Sequence, residues 1–191
     1  MSLHYRNVST VIKPEGGILK ESIVVTEEVV RSSALHGTMA RLFGELTEGA
    51  AADGAWILNR RDPGLLKSLD KLSATDASRV PENGTSSIAA HADHLRYGLS
   101  LFNRWSRGEN AFADADYTAS WRRVKVNEAE WATLRQELRK ETGHWLGSLR
   151  LERDLKETEL NDVIGSIVHL AYHLGAIRQI NQSIRGPKAT D

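Results

Sequence analysis

His169 and His173 stand four residues apart in the run HLAYHLGAIRQI. On a helix, that spacing stacks two imidazoles on one face, where both can reach the same ion. A second helical stretch, SIAAHADHLRYGLSLFNRW, carries His91 and His94. A third imidazole from this second helix would complete a three-nitrogen set with coordination positions left open, the arrangement that supports metal chemistry.

Two amphipathic helices must present those rings. In the C-terminal one, expected from about Glu159 to Ile184 and stopped by Gly186-Pro187, the apolar stripe is Val163, Ile167, Leu170, Leu174 and Ile177. His169 and His173 lie about a quarter-turn to one side of it, facing a seam or the bundle mouth. The earlier helix, from Ser86 to about Ser106, has Ile88, His91 or Ala92, Leu95, Leu99 and Phe102 as its stripe, with His94 on one flank beside Gly98. Glycine in a helix interior costs about 0.5–1 kcal/mol relative to alanine, so room beside the ring is a reason for Gly98. His91 falls toward the stripe, which favours packing or support of a ligand over ligation. His36 and His144 stand alone and read as surface or packing residues, and His4 lies in an irregular segment. Spacing alone leaves a metal site and an ordinary polar bundle edge equally open.

The remaining elements complete an all-α protein. Thr26, with Glu27 and Glu28 after it, can cap a helix carrying Leu35, Met39, Leu42 and Leu46 as far as Gly49. Asp62-Pro63 reads as a cap and first-turn proline for a short helix with Leu65, Leu69 and Leu72. Asn127 and Glu130 form a capping box for a helix lined by Trp131, Leu134, Leu138, Trp145 and Leu149. Four long amphipathic helices indicate a four-helix bundle. The segment RGENAFADADYTASWRR between the second and third of them is long enough to cross over the bundle. Before the bundle, Val8 to Ile12, the turn Pro14-Glu15-Gly16-Gly17, and Ile18 to Val25 suggest an extended arm or small hairpin. The expected organisation is an arm over 1–25 and a bundle domain over 26–186.

Composition narrows the function. Lys plus Arg and Asp plus Glu both number 25, and this zero balance points to neither nucleic acid nor a membrane surface as a partner. Arg122, Arg123 and Lys125 beside a loop read as solvated surface. The absence of cysteine removes disulfides, thiolate ligands and a cysteine nucleophile, and is compatible with a reducing cytoplasm. The N-terminal residues lack the apolar core of a signal peptide, and no apolar run approaches the ~18–20 residues that span a bilayer. A soluble, cytoplasmic protein is expected.

The chain resembles the DinB/YfiT-like superfamily of metal-binding four-helix bundles over about residues 29–185. HLAYHLGAI looks like the family's C-terminal His-xxx-His-x-Gly-x-Ile pattern, matched at His169, His173, Gly175 and Ile177. The family's other histidine follows a Ser-aliphatic helix start by seven residues and precedes Leu. Ser87-Ile88 to His94-Leu95 fits that register, and His91 does not. WILNRRDPGLLKSLDKLSATDAS, NRWSRGENAF and DADYTASW are further similar to a DinB-like subgroup without assigned activity. The resemblance implies a DinB-like bundle, dimeric assembly, and a divalent ion held by His94, His169 and His173.

Zinc and nickel both suit imidazole donors. The resemblance also implies small-molecule chemistry, since relatives include transferases and isomerases that use low-molecular-weight thiols. An ion held by three neutral imidazoles would acidify a water, from about 15.7 to about 7 with zinc, or bind a thiol as thiolate. With no cysteine in the chain, such a thiol must be a cosubstrate. Thiol transfer and hydrolysis of a small substrate stay open. So do a non-catalytic metal-binding stress-response protein and a metal-free dimerisation bundle. Ser166, Asp162, Asp93 and Asp116 are the candidate acceptors for the ligands' second nitrogens. The loop bearing Asp114, Asp116, Tyr117 and Trp121 is a candidate cover, and no catalytic residue is assigned.

Overall fold

The computed structural model describes residues 32–51 and 54–189. The expected arm over 1–25, and the helix start at Thr26, lie outside them. Among the described residues there are six α-helices and no strand: α1 (Ser32–Glu48), α2 (Gly64–Leu69), α3 (Ala74–Ala77), α4 (Ile88–Ser106), α5 (Glu128–Arg150) and α6 (Glu157–Ile180). None of these helices is long and apolar enough to cross a membrane.

The four long helices are α1, α4, α5 and α6. α5 packs between α1 and α4, and α6 closes the other side against the same two. Side-chain contacts fix their directions. Arg96 reaches Glu137, the Asn103 amide donates to the Glu141 carbonyl at 3.0 Å, and Ser148 donates to Ser106. Position numbers rise together along both helices, so α4 and α5 run parallel. Against α1, α5 runs antiparallel, with Leu146 beside Gly44 and the Arg153 carbonyl, just past the helix end, on His36. α6 is antiparallel to α4, pairing His94 with His169 and His91 with His173.

Parallel neighbours require the chain to return along the whole of α4, about 28 Å at 1.5 Å per residue. The segment 107–127 makes that crossover. It is pinned at the far end by Ser87, whose hydroxyl donates to the Val124 carbonyl at 2.6 Å while accepting from the Ala90 N–H as the N-cap of α4. Midway, the Asp116 N–H donates to the Tyr97 hydroxyl. Asn127 and Glu130 then cap α5 reciprocally, as their spacing predicts.

The predicted stripes of α4, α5 and α6 are buried apart from Phe102, which is half-buried, and Trp131 and Trp145 are fully enclosed. Each indole N–H has an acceptor, the Leu72 carbonyl for Trp131 and the Ser166 hydroxyl for Trp145. Three expectations change. The buried line of α1 is His36, Met39, Phe43 and Leu46, leaving Leu35 and Leu42 half-buried. α6 ends at Ile180 and not at Ile184, because Asn181 turns extended (φ −133°) and its side chain accepts from the Ser183 N–H. That exit lets Ile184 drop into the core. α2 begins at Gly64, so Pro63 takes the cap position and Asp62 stands one residue outside.

Asp62 has a larger role than a cap. Its carboxylate accepts from the Gly64 N–H and pairs with both terminal nitrogens of Arg178, at 2.9 and 2.6 Å. This buried pair fastens the start of α2 to the last turns of α6. Gly49, which ends α1 at φ +107°, and Gly64, at φ +70°, pass so closely that a side chain on either would strike the other's backbone segment. Arg178→Met leaves the Asp62 carboxylate, 3% exposed, without its partner. The expected loss is about 3–5 kcal/mol of unfolding free energy, read as a lower urea midpoint at unchanged slope.

Candidate metal centre

His91 and His94 lie near the start of α4 and His169 and His173 near the end of α6, so antiparallel packing brings all four to the same level of the seam. Three Nε2 atoms converge there. His94 and His169 are 3.2 Å apart at Nε2, His169 and His173 are 2.9 Å apart, and the donor atoms of the three all lie within 4.8 Å of one another. Imidazole nitrogens each about 2.0–2.1 Å from a shared ion, at angles between square and tetrahedral, would sit about 2.9–3.4 Å apart. The donor set therefore fits a divalent cation. His94 and His173 are buried and His169 is half-buried.

The second ring nitrogens show how the rings are held. The Ser120 hydroxyl donates to the Tyr117 carbonyl at 2.7 Å, so it must accept from His94 Nδ1–H at 2.8 Å. That leaves a lone pair on His94 Nε2, facing the cluster. His173 Nδ1 meets His91 Nδ1 at 2.8 Å, a contact that needs one proton between the two rings. His91 thus supports a ligand ring and is not one of the converging donors, in line with its register. The Trp121 indole covers the group, stacking on His94 at 4.3 Å, meeting His91 edge to face and lying tilted against His173.

None of the four acceptors expected from the sequence serves these rings. The Ser166 hydroxyl is engaged by Trp145 and the Val163 carbonyl. Asp93 pairs with Arg96 and, at 3.5 Å, with Arg123, which stays on the solvated surface expected for it. Asp116 accepts from the Ala119 N–H within its own turn, and Asp162 is exposed on the rim of the seam. Nothing in the sequence marks Ser120, and only its place in a return loop puts it beside His94. Of the loop residues expected as a cover, Trp121 and Tyr117 reach the site, while Asp114 faces Arg104. The other histidines stay apart: His36 is buried against the Arg153 carbonyl and His144 is exposed. His4 lies outside the described residues.

A cavity of about 520 Å³ opens onto this group, lined by His94 and His169, by Phe102, Phe112 and Tyr117, and by Gly98 and Gly165. A methyl built at Gly98 would meet nothing within 4 Å, so the space expected beside His94 is present. On the other side of Trp121, a second cavity reaches His91 and none of the three converging rings.

Burial governs the electrostatics. It pushes the His173 imidazole down to about 3, helped by the nearby His169, His91 and His94. His94 falls to about 4, again through burial first, then His169 and His91, against a smaller opposing pull from Asp93. Burial also lowers His91 and His169. The rings are neutral at neutral pH, the form that offers a lone pair to a cation.

The family model described as the DinB superfamily matches residues 58–177, which take in α2 to α5 and most of α6, with all three converging histidines. No curated protein and no solved structure matches the chain.

Because these imidazoles titrate lower in the folded chain than in the unfolded one, the unfolded chain binds more protons between pH 6.5 and about 3. Their contribution to stability is complete above pH 6.5 and is lost as pH falls through that window. Chelator-treated protein should show a melting temperature that declines from pH 6.5 to 4. The decline should be visibly shallower in His94→Asn/His173→Asn, and equal slopes would contradict buried neutral rings.

Proposed function

For a chain that belongs to the DinB superfamily, we propose that His94, His169 and His173 hold a divalent ion, zinc or nickel, in a metal-dependent enzyme acting on a small molecule. The observation that carries this reading is the convergence of three Nε2 atoms at the inner end of an accessible cavity. Three ligands with an open approach suit chemistry, whereas an ion serving only as a staple is typically closed by four protein ligands. When bound, the ion would supply a Lewis acid able to acidify a water or a thiol.

The chain's own groups do the rest. Ser120 holds His94 in the tautomer whose Nε2 is free to bind. With His173 Nε2 likewise committed to a ligand role, its Nδ1–H donates to His91 Nδ1, and the support of His91 keeps the ring oriented. Trp121 shuts water out from one side, and the cavity admits a reactant from the other. The reaction is transfer of a small thiol or hydrolysis. In the first case the thiol arrives as a cosubstrate, because the chain has no cysteine.

Metal content tests the reading directly. Protein purified without an affinity tag should carry about one equivalent of zinc or nickel, and His173→Ala should lose it. His91→Leu should bind about 10–100-fold more weakly, while His91→Asn, which can still accept a hydrogen bond, recovers most of that loss. No metal after reconstitution at neutral pH would overturn the proposal.

We also propose a homodimer, formed through the outer face of α6. Ile164, Val168 and Tyr172 make an exposed apolar line at four-residue spacing, with Val168 and Tyr172 62% and 69% exposed. Val168→Glu/Tyr172→Glu should convert the dimer to monomer in light scattering, with helical content unchanged.

A further inference from the structure

The cavity beside the histidines has a distinct charge pattern. Its lining is His94, Gly98, Phe102, Phe112, Tyr117, Asn161, Asp162, Gly165, Ser166 and His169. No lysine or arginine is among them. Asp162 is the one acidic residue of that lining. Among the described residues, the side chains of Asp162 and Asn161 have no hydrogen-bond or ion-pair partner. This contrasts with the other carboxylates near the seam, since Asp93 is neutralised by two arginines and Asp116 is tied into its own turn.

The walls between the carboxylate and the imidazoles are apolar and aromatic. Phe102 and Phe112 meet edge to face at 5.3 Å, and Tyr117 joins them from the crossover loop. Phe112 and Tyr117 remain 36% and 48% exposed, which is surface available to a guest. Two helix-interior glycines, one on each helix of the seam, keep the space open. Neither Gly98 nor Gly165 would bring a methyl within 4 Å of any atom, so packing does not require glycine at either position. Each costs its helix about 1 kcal/mol relative to alanine. Asp162 and His169 are seven residues apart on α6, about 10 Å along the axis, so one small molecule can span both.

We propose that this cavity binds a small organic cation, with an apolar, preferably aromatic, body between the phenyl and tyrosyl walls and an ammonium group on Asp162. The opposite end of the guest faces His94 and His169. The inference rests on reading the seam as a reaction site and supplies the substrate class left open above. Its binding test does not require metal.

Chelator-treated, full-length protein is titrated with three probes of one shape: 2-phenylethylamine, 2-phenylethanol and 3-phenylpropionate. Binding is followed by saturation-transfer NMR. The amine is expected to bind about fivefold more tightly than the alcohol, the size of one partly exposed charge contact, and the carboxylate more weakly than either. Asp162→Asn should bring amine and alcohol within twofold while leaving the alcohol unchanged. Gly98→Leu, which fills the cavity and improves helix propensity, should abolish binding of both with the circular dichroism spectrum retained.

Equal binding of all three probes, no binding of any, or an amine preference that survives Asp162→Asn would each overturn the proposal. Should Gly98→Leu misfold, Gly165→Leu provides the same occlusion from α6, and undiminished amine binding there would also overturn it. Metal content is measured on the same preparation before chelation. Protein that carries no metal yet selects the amine would defeat the metalloenzyme reading and leave this one standing, and the reverse result would do the opposite.

Discussion

Four imidazoles share one desolvated seam, and they can remain there only uncharged and with their ring protons matched to acceptors. Neighbouring rings among His91, His94, His169 and His173 have centroids 4.4 to 5.1 Å apart, so a proton on any one would be felt by the rest. Burial is the larger penalty and the neighbouring rings add to it. Neutrality is also what makes an imidazole a ligand. The constraint that lets the core tolerate these side chains is thus the one that leaves lone pairs pointing at a common space. Ser120 and His91 resolve the remaining proton placement, one through a hydroxyl already committed as a donor, the other through a ring that accepts.

The parallel packing of α4 and α5 supplies the other half of the site. It obliges the chain to travel back along α4, and the returning segment brings four groups to the α4–α6 seam: Phe112 and Tyr117 as cavity wall, Ser120 as acceptor, Trp121 as cover. Ser87 ties this loop to the first turn of the helix that bears His91 and His94. A shorter, antiparallel connection would leave His94 without its hydrogen-bond partner and the rings open to water. Fold connectivity and site chemistry are linked here through a single segment.

The helices were legible because burial imposes a 3.6-residue period, and α4, α5 and α6 show it without interruption. α1 misled by one position, since Leu35 and Leu42 are as apolar as Phe43 and only packing against α5 and α6 decides which row turns inward. The far end of α6 misled for a similar reason. Asn181 stops the helix at Ile180 by capping the next turn, and the buried place of Ile184 in the core is what favours that exit over further helix. The acceptors expected for the ligand rings, Ser166, Asp162, Asp93 and Asp116, are near them in sequence. Ser166 is engaged by Trp145, Asp93 by arginines and Asp116 by its own turn, while Asp162 lines the cavity.

By itself, the sequence determined the helical periods, the capping of α5, the chemistry that an absence of cysteine excludes, and the three histidines whose spacing and register match a family pattern. These are local properties, set by residue type and by separations of three to seven positions. Tertiary structure alone decided that His91 braces His173, that Ser120 fixes the tautomer of His94, and that Phe112 and Tyr117 wall the cavity beside the same rings. The two hydrogen bonds join residues 82 and 26 positions apart. They follow from which helices run parallel, and no local rule reports that.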